Sequence, residues 1–200
     1  MAECEIKQVG PDALEQYQSI PISFRVESIF RVKLVDGGLG GLTLAEEPVE
    51  HPYVKEYDDY HQERPTRWAR QFDVSHWLFL MAFDVDIPAG GATVAFRSPN
   101  VHMLQGRDDL AVLWDLRVHP DYRGQGIGAA LFDQAAAWAR SQGCKQLKVE
   151  TQNINVPACR FYAACGCQLG AIDRYGYAND PRIAHEAMLH WYLDLRAIDG

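Results

Sequence analysis

One stretch of this chain constrains its fold more than any other, because it predicts a strand, a glycine-rich turn and a helix in direct succession. The strand is predicted over Leu110–Val118, with Asp115 and Arg117 on one face. The opposite face is predicted to carry the apolar residues Leu110, Val112, Trp114, Leu116 and Val118. Apolar residues then recur at helical spacing over Ala129–Arg140, and Gly143 provides a stop signal for that helix. A strand that passes through glycines into an amphipathic helix predicts a helix packed on a sheet.

The rest of the chain predicts further helices and strands but no boundary between domains. No repeat or low-complexity tract is present, and Pro and Gly are spread along the chain. At 200 residues one core is the default, so a single domain is predicted over residues 1–200. The predicted helices cover residues 11–19, 66–72 and 156–165, and the predicted strands cover residues 24–35, 42–44, 77–83, 92–96, 147–151, 167–173 and 183–195.

The charge balance limits the partners of the chain. It has 19 basic and 27 acidic residues and a net charge of −8. A nucleic-acid partner is not expected, because phosphate backbones need a basic surface, whereas a cationic partner or substrate suits this charge. No run of about 18 apolar residues is present and the start, Met1–Glu5, is acidic, so neither a membrane span nor a signal peptide is expected. A cytoplasmic location is predicted.

The cysteines and histidines predict neither disulfides nor a metal site. The five cysteines are an odd number, and four of them lie between Cys144 and Cys167. Cys165 and Cys167 lack a second pair at zinc-ligand spacing, which favours packed thiols. The histidines make no metal-ligand spacing either: His51, His61, His76, His102, His119, His185 and His190. No metal is therefore predicted.

The turn before the helix contains Gly124, Gly126 and Gly128, and it suits an anionic phosphate group. Small residues allow backbone N–H groups to approach an anion, and a helix N-terminus adds its dipole. An ATP-type phosphate loop needs Lys and then Ser or Thr after its last glycine, but Ala129 follows here. A dinucleotide fingerprint fits the glycine spacing and Glu150, but five residues separate the strand from the glycines and too little chain follows. A coenzyme site and a purely structural turn both stay open on these residues.

The glycine turn resembles a known coenzyme-binding loop. Residues 118–128, VHPDYRGQGIG, are similar to the coenzyme-A loop of GNAT acetyltransferases, whose pattern is Arg/Gln-x-x-Gly-x-Gly/Ala. Arg123, Gly126 and Gly128 fill the fixed positions of that pattern. The resemblance favours the coenzyme site over the structural turn.

A second resemblance follows in the order that the same family has. Residues 155–162, NVPACRFY, resemble its signature helix, which would end at Gly166. Residues 150–159, ETQNINVPAC, resemble the streptothricin acetyltransferase branch in particular, and the acidic, aromatic residues 56–60 are similar to that branch as well. The resemblance covers about residues 110–170.

The resemblance implies a fold and a reaction. The expected fold is α/β (α+β), with a central mixed, mostly antiparallel sheet of about seven strands, splayed central strands and about four flanking helices. Residues 110–170 would form the coenzyme-binding core and residues 1–75 the acceptor side. The implied reaction is acetyl transfer from acetyl-CoA to a primary amine of a small cationic molecule, and a streptothricin-like acceptor would connect the protein to antibiotic resistance. A protein N-terminal or lysine acetyltransferase, and a non-catalytic acetyl-CoA-binding module, stay open as alternatives, as does a homodimer.

The resemblance also implies which residues carry the chemistry. Backbone groups of Leu116 and Val118 are expected to contact the thioester and the pantetheine arm. Tyr162 corresponds to the general acid, and a phenol of pKa about 10 suits proton donation to a thiolate whose thiol has a pKa of about 8.5. By helical spacing Asn155, Cys159 and Tyr162 share one stripe, so Asn155 and Tyr162 are expected to face one ligand. The stripe predicted to face the sheet consists of Ala158, Phe161 and Cys165. The predicted coenzyme-binding residues are Leu116, Val118, Arg123, Gly124, Gln125, Gly126, Ile127, Gly128 and Asn155.

Acceptor binding and deprotonation leave alternatives open. Asp115 on the central strand is a candidate for the general base or for the group that holds the acceptor's ammonium, but an ion pair with a nearby basic residue explains it equally well. The acidic run at residues 46–63 either attracts the acceptor or forms a solvated face. Tyr175 and Tyr177 are similar candidates for contact with the acceptor.

Overall fold

The computed structural model describes residues 4–59 and 64–196. The last residues of the predicted acidic run, 60–63, and the chain ends 1–3 and 197–200 lie outside the described residues. In chain order the helices are α1 (Leu14–Gln18), α2 (Pro65–Gln71), α3 (Ile127–Ser141) and α4 (Val156–Ala164). The strands are β1 (Glu5–Val9), β2 (Phe24–Leu34), β3 (Leu42–Lys55), β4 (Leu78–Asp84), β5 (Ile87–Ala95), β6 (Leu110–Val118), β7 (Gln146–Gln152), β8 (Gln168–Asp173) and β9 (Met188–Asp194).

Seven of these strands form one sheet, whose hydrogen-bonded neighbours follow the order β1-β4-β5-β6-β7-β9-β8, while β2 and β3 form a second sheet. The pairs β1/β4, β4/β5, β5/β6 and β8/β9 are antiparallel. A seven-stranded sheet combined with four α-helices in the described residues confirms the predicted α/β (α+β) class. The splay of the central strands stays a prediction.

The strand prediction is wrong in extent at four places, since β5 begins at Ile87 and not at residue 92, β9 begins at Met188 and not at residue 183, and β1 and β3 differ as well. β1 was not predicted, because Glu5–Val9 places only two half-buried residues among polar ones and pairs with β4 along one edge. β3 runs to Lys55, although the sequence predicted a strand over residues 42–44 alone. Pro48 and Pro52 and the many acidic residues of β3 are unfavourable in strands, yet an exposed two-stranded hairpin tolerates them.

Residue contacts group the chain into two compact units, and the predicted single domain over residues 1–200 stays a prediction. Unit 1 consists of Met1–Ile22, Glu56–Lys148 and Asp194–Gly200. Unit 2 consists of Ser23–Lys55 and Val149–Leu193.

An aromatic cluster forms the core of unit 1 on the side of α1 and α2. The rings of Tyr17 and Trp68 meet edge to face with centroids 5.8 Å apart, and Trp77 stacks on Phe79 at 6.2 Å. Met81 is fully buried in the same cluster. These large buried side chains stabilise unit 1, since each aromatic residue buries more apolar surface than any aliphatic one.

α3 packs on β5 and β6 of unit 1 through one apolar face. Ile127, Leu131 and Ala135 lie four residues apart along it and are buried. A Cβ at Gly90 of β5 would lie 3.1 Å from side-chain atoms of Ile127 and Leu131 and from the carbonyl oxygen of Arg117. This close approach of helix to strand therefore favours glycine at residue 90, because a Cβ there would push its neighbours back by a few tenths of an ångström.

Unit 2 is organised around Asn153, which follows β7. Its Nδ2 donates to the carbonyl oxygen of Phe30 in β2 at 2.9 Å, and its Oδ1 accepts from the backbone N–H of Ala187 at 2.7 Å. The buried ion pair of Lys55 and Glu186, 2.7 Å between Nζ and Oε1, joins the end of β3 to the segment before β9. Buried, hydrogen-bonded polar groups of this kind fix one arrangement of the chain.

No helix in the described residues is long and apolar enough to span a membrane. The five cysteines are all free thiols, and Cys144, Cys159 and Cys167 are buried. Burial raises the pKa of Cys159 and Cys144 to about 11 and that of Cys167 to about 12. These three thiols therefore stay protonated and unreactive near neutral pH, as expected for packed side chains.

Candidate active site

The glycine loop of unit 1 adopts a backbone shape that only glycine takes up easily. Gly124 has a φ of +76° and Gly126 a φ of +88°, and Gly126 is the N-cap of α3. A Cβ at either position would meet no atom within 4 Å. Backbone geometry therefore selects glycine here, and the space in front of both residues stays clear of side chains.

Backbone N–H groups of this loop are available to an anion. Among the described residues, none accepts a hydrogen bond from the N–H groups of Gly124, Gln125 or Gly126. The first turn of α3 contains no acidic side chain and its N-cap offers no side-chain acceptor. The partial positive charge of a 15-residue helix adds to these donors. This geometry is suited to an anion such as a pyrophosphate group, and coenzyme binding by these residues stays a prediction.

Arg123 anchors the start of the loop to the end of β6. Its Nε donates to the carbonyl oxygen of Val118 at 3.1 Å. Partial burial lowers the pKa of Arg123, and the charge of Glu56 opposes that shift. The guanidinium keeps its charge, because an arginine pKa starts far above neutrality. The predicted residues Val118, Arg123, Gly124, Gln125 and Gly126 are thus brought together, and Ile127 and Gly128 follow as the first residues of α3.

β6 contains a bulge that corrects the predicted faces of this strand. Asp115 pairs with Thr93, but Leu113 pairs with Val94, so Trp114 is an extra residue. A bulge shifts the alternation of side chains by one position. Trp114 packs against Trp77 with centroids 5.5 Å apart, and Asp115 accepts from Tyr17 of the same aromatic cluster. Trp114 and Asp115 therefore share a face, and the prediction that they face opposite ways is wrong.

Asp115 belongs to a buried network in unit 1. Its Oδ1 and Oδ2 accept from Nε and Nη2 of Arg117 at 2.9 and 2.8 Å, and Oδ1 also accepts from the Tyr17 hydroxyl at 2.7 Å. Arg117 donates further to Asp58 Oδ2 at 3.1 Å and to the carbonyl oxygen of Ile20 at 3.0 Å. Every polar atom of the Asp115 carboxylate thus has a partner, which favours the ion-pair interpretation over a proton acceptor.

The electrostatics of this network agree with that interpretation. Burial, followed by the charge of Asp115, raises the pKa of Tyr17 well above its usual value. Burial alone would lower the pKa of Arg117, but Asp115, Tyr17 and Asp58 raise it overall. Tyr17 therefore stays neutral and Arg117 stays charged at any physiological pH.

The other predicted strand residues keep their expected backbone positions. Leu116 and Val118 pair with Ala92 and Gly90 of β5. The carbonyl oxygen of Val118 accepts from Arg123, so this group is already engaged in the described residues. Contact of Leu116 and Val118 with a thioester stays a prediction.

α4 in unit 2 carries both Asn155 and Tyr162, but its faces differ from the prediction. Val156, Cys159 and Tyr162 are buried, and Cys159 Sγ lies 3.4 Å from Thr151 Oγ1 of β7. The stripe of Cys159 and Tyr162 therefore faces the sheet. The predicted sheet-facing stripe is only half-buried at Ala158, Phe161 and Cys165. Helical spacing predicts that residues share a stripe, but it does not tell which of two apolar stripes faces the sheet.

Asn155 has a structural role that the sequence analysis missed. It is the N-cap of α4, and its Oδ1 accepts from the backbone N–H of Ala158 at 3.1 Å. Asn followed two residues later by Pro157 is a typical start of a helix, so this signal was present in the sequence. Binding of the coenzyme by Asn155 stays a prediction, as does the general-acid role of Tyr162, which is 6% exposed.

Half of the carboxylates in the acidic run at residues 46–59 are paired with a lysine or an arginine. Glu46 accepts from Ser28 Oγ at 2.7 Å and pairs with Arg160. Hydrogen bonds from Lys33 and then from Arg31 lower the pKa of Glu47. Asp58 pairs with Arg117, as described above. These three carboxylates are occupied by the protein's own cations, whereas no lysine or arginine of the described residues pairs with Glu50, Glu56 or Asp59.

A polar cluster that the sequence analysis did not assemble lies in unit 2. We call it the Glu150 cluster, and it consists of Glu150, Gln152, Tyr177 and His190. The Tyr177 hydroxyl donates to Glu150 Oε1 at 2.7 Å and accepts from Gln152 Nε2 at 2.9 Å. His190 Nε2 lies 3.6 Å from Glu150 Oε2. The cluster spans 40 residues of the chain, from Glu150 to His190, so no local pattern joins its members. Of these residues, only Tyr177 was predicted to contact the acceptor.

Comparisons with known proteins agree with this geometry. A family model described as the acetyltransferase (GNAT) family matches residues 43–167. The chain is similar to a streptothricin acetyltransferase of Escherichia coli, with 39% identity over 85 residues, 42% of this chain and 49% of that one. It is also similar to streptothricin acetyltransferase A of Bacillus subtilis, with 31% identity over 157 residues, 76% of this chain and 80% of that one. A Bacillus anthracis structure in complex with acetyl coenzyme A matches with a TM-score of 0.75 and 23% identity, covering 96% of this chain and 99% of that chain.

Proposed function

Since this chain belongs to the acetyltransferase (GNAT) family and is an N-acetyltransferase, we propose that it acetylates a primary amine of a small, positively charged acceptor of the streptothricin class, with acetyl coenzyme A as the donor. The observation that carries the donor side is the glycine loop before α3, whose N–H groups donate to no acceptor in the described part of the chain. The acceptor class rests on the names of the relatives and on the net charge of −8. Acetylation would remove a positive charge from such an antibiotic, which is a route to resistance.

The chain's own residues bind and orient the donor. The N–H groups of Gly124, Gln125 and Gly126 and the N-terminus of α3 hold the pyrophosphate, and Arg123 adds a positive charge. Backbone groups of Leu116 and Val118 contact the pantetheine arm. Acetyl coenzyme A supplies an activated acetyl group on a thioester and leaves as the thiol.

Proton movement is assigned to one side chain. The acceptor nitrogen forms a bond with the acetyl carbon, the carbon–sulfur bond breaks, and the nitrogen releases a proton to water. Tyr162 gives its hydroxyl proton to the departing sulfur and regains one from solvent. Asp115 is a positioning residue, because its carboxylate is fully engaged by Arg117 and Tyr17.

The Tyr162→Phe variant tests the general-acid role. We expect kcat to fall about a hundredfold, within the range for general acid catalysis, while the Kd of coenzyme A stays unchanged. Tyr175→Phe is the matched control for kcat, because Tyr175 is 71% exposed and no proton transfer is assigned to it. Full turnover in Tyr162→Phe would show that another group protonates the thiolate.

Release of free thiol from acetyl-CoA across a panel of acceptors tests the function itself. The panel contains streptothricin, simple amines, and peptides with a free N-terminus or a lysine. Turnover with streptothricin and small cationic amines supports the proposal. Turnover with the peptides alone identifies a protein acetyltransferase instead, and coenzyme binding without any turnover identifies a non-catalytic module.

A further inference from the structure

We propose that the Glu150 cluster binds a second positively charged group of the acceptor, one that is not acetylated. This inference rests on the proposed function and adds a specificity determinant to it. It implies that the preferred acceptors carry at least two cationic groups. Glu150 provides the charge, and Tyr177 and Gln152 hold the carboxylate in place.

The cluster occupies one face of two neighbouring strands. Thr151 of β7 lies against Cys159 of α4 and accepts from Trp191 Nε1 of β9 at 3.0 Å, so Thr151 and Trp191 share the face toward α4. Successive side chains of a strand point to opposite faces. Glu150 and His190 therefore point away from α4, where Tyr177 from the β8–β9 connection reaches them.

Glu150 has no permanently charged partner in the described residues, since its one ion-pair contact is with His190, which is charged only when protonated. No Lys or Arg in the described residues pairs with its carboxylate, although its side chain is only 23% exposed. A partly desolvated carboxylate without a cation is unfavourable, and a cationic ligand relieves that cost. The contrast with Asp115, Glu46, Glu47 and Asp58 is clear, because each of these has an arginine or lysine partner.

One carboxylate oxygen and one imidazole nitrogen of the cluster converge without a hydrogen bond between them. Glu150 Oε1 is taken by the Tyr177 hydroxyl, but Oε2 lies 3.6 Å from His190 Nε2, which exceeds a hydrogen bond. His190 Nε2 is buried and has no hydrogen-bond partner in the described part of the chain. An ammonium group has three donors and no acceptor, and one such group can bond the partly exposed Glu150 carboxylate at about 2.9 Å.

The site suits an ammonium that stays charged. A nearby carboxylate favours the protonated form of an amine, whereas the amine that attacks the thioester must be neutral. The group held at Glu150 is therefore distinct from the reacting nitrogen. Because the Tyr177 hydroxyl also accepts from Gln152 at 2.9 Å, the carboxylate is held before the ligand arrives.

The Glu150→Gln variant removes the charge and keeps the shape of the side chain. We expect the KM for streptothricin to rise about tenfold to a hundredfold, as for loss of one charge-assisted hydrogen bond, while the KM for acetyl-CoA stays the same. Glu50→Gln is the matched control, since it removes one carboxylate from a 90% exposed side chain of the same unit. Tyr177→Phe keeps the charge and releases the carboxylate, so its KM should rise less, about threefold.

A series of diaminoalkanes tests whether the enzyme recognises a second positive charge on the acceptor. The series has three to six carbons, and each diamine is compared with the monoamine of the same length. The wild type should prefer the best diamine over its monoamine by about tenfold, and Glu150→Gln should lose that preference without changing turnover of the monoamine. The inference is overturned if Glu150→Gln leaves the KM for streptothricin or the preference for the diamine unchanged, or if the wild type shows no such preference. Each of these outcomes leaves the proposed function intact. No transfer to any amine would overturn both.

Discussion

The glycine loop and the Glu150 cluster are built in opposite ways. The loop uses backbone N–H groups of adjacent residues, and its shape depends on the positive φ angles of Gly124 and Gly126. The cluster uses side chains from β7, β9 and the segment between β8 and β9. A backbone site leaves a local pattern in the sequence, whereas a side-chain site appears only when distant residues are brought together.

A side-chain cluster by itself does not indicate a ligand, as the network around Arg117 shows. There each carboxylate oxygen of Asp115 has a donor, and the buried guanidinium binds Asp58 and Ile20 as well. In the Glu150 cluster one carboxylate oxygen and one imidazole nitrogen face each other, but no hydrogen bond joins them. We therefore regard the Arg117 network as structural and the Glu150 cluster as ligand-binding.

The largest effect is expected for Arg117→Met, which leaves two carboxylates of the network without their cation. Breaking a buried ion pair by removing one partner costs about 3–5 kcal/mol, so the free energy of unfolding should fall by that amount. Denaturant unfolding measures it. Arg31→Met is the control: its ion pair with Glu47 is 59% exposed on the arginine side, and stability should hardly change.

Asp115→Asn decides whether the network is structural or catalytic. If Asp115 only positions Arg117 and Tyr17, the variant should be less stable while the remaining folded protein keeps kcat within about threefold. A hundredfold loss of kcat at unchanged stability would instead make Asp115 the general base. The presence of a donor on every carboxylate oxygen would then not distinguish a structural cluster from a functional one.

A smaller effect is expected for Gly126→Ala, which changes the backbone site. A residue with a Cβ at a φ of +88° is strained by about 1–2 kcal/mol, and relief of that strain turns the N–H groups away from the anion. The Kd of coenzyme A, measured by calorimetry, should rise about tenfold. Gly143→Ala is the matched control, because Gly143 has a φ of +81°, also lacks neighbours, and follows the C-terminus of α3. Equal Kd values in the two variants would show that the loop is only a structural turn.

The sequence predicted the parts of the molecule that depend on local pattern. The extent of β6 follows from the alternation of apolar residues, the loop from its closely spaced glycines, and the start of α4 from Pro157. The structure has all three where the sequence indicates them. The family resemblance over residues 110–170 predicted the fold class, since its motifs lie on these same elements.

The parts that failed depend on contacts between distant residues. The bulge at Trp114 arises from pairing with β5, and no feature of β6 alone indicates it. The stripe of α4 that is buried is the one in which Cys159 contacts Thr151 of β7. The helical periodicity of apolar residues alone does not distinguish the two stripes. Glu150 appeared in the sequence only as the end of a strand, because its partners Tyr177 and His190 lie far along the chain.

The smallest effect is expected for the double variant Glu46→Gln and Glu47→Gln, which tests the acidic run as an acceptor site. Both carboxylates are occupied, Glu46 by Ser28 and Arg160 and Glu47 by Lys33 and Arg31. Since these cations already neutralise Glu46 and Glu47, removing the two charges should leave the KM for streptothricin within about twofold of the wild type, compared with at least tenfold for Glu150→Gln. A rise in KM similar to that of Glu150→Gln would mean that these acidic residues attract the acceptor by long-range electrostatic interaction. High salt then distinguishes the two causes, because screening weakens attraction by exposed charges much more than binding at a partly buried carboxylate.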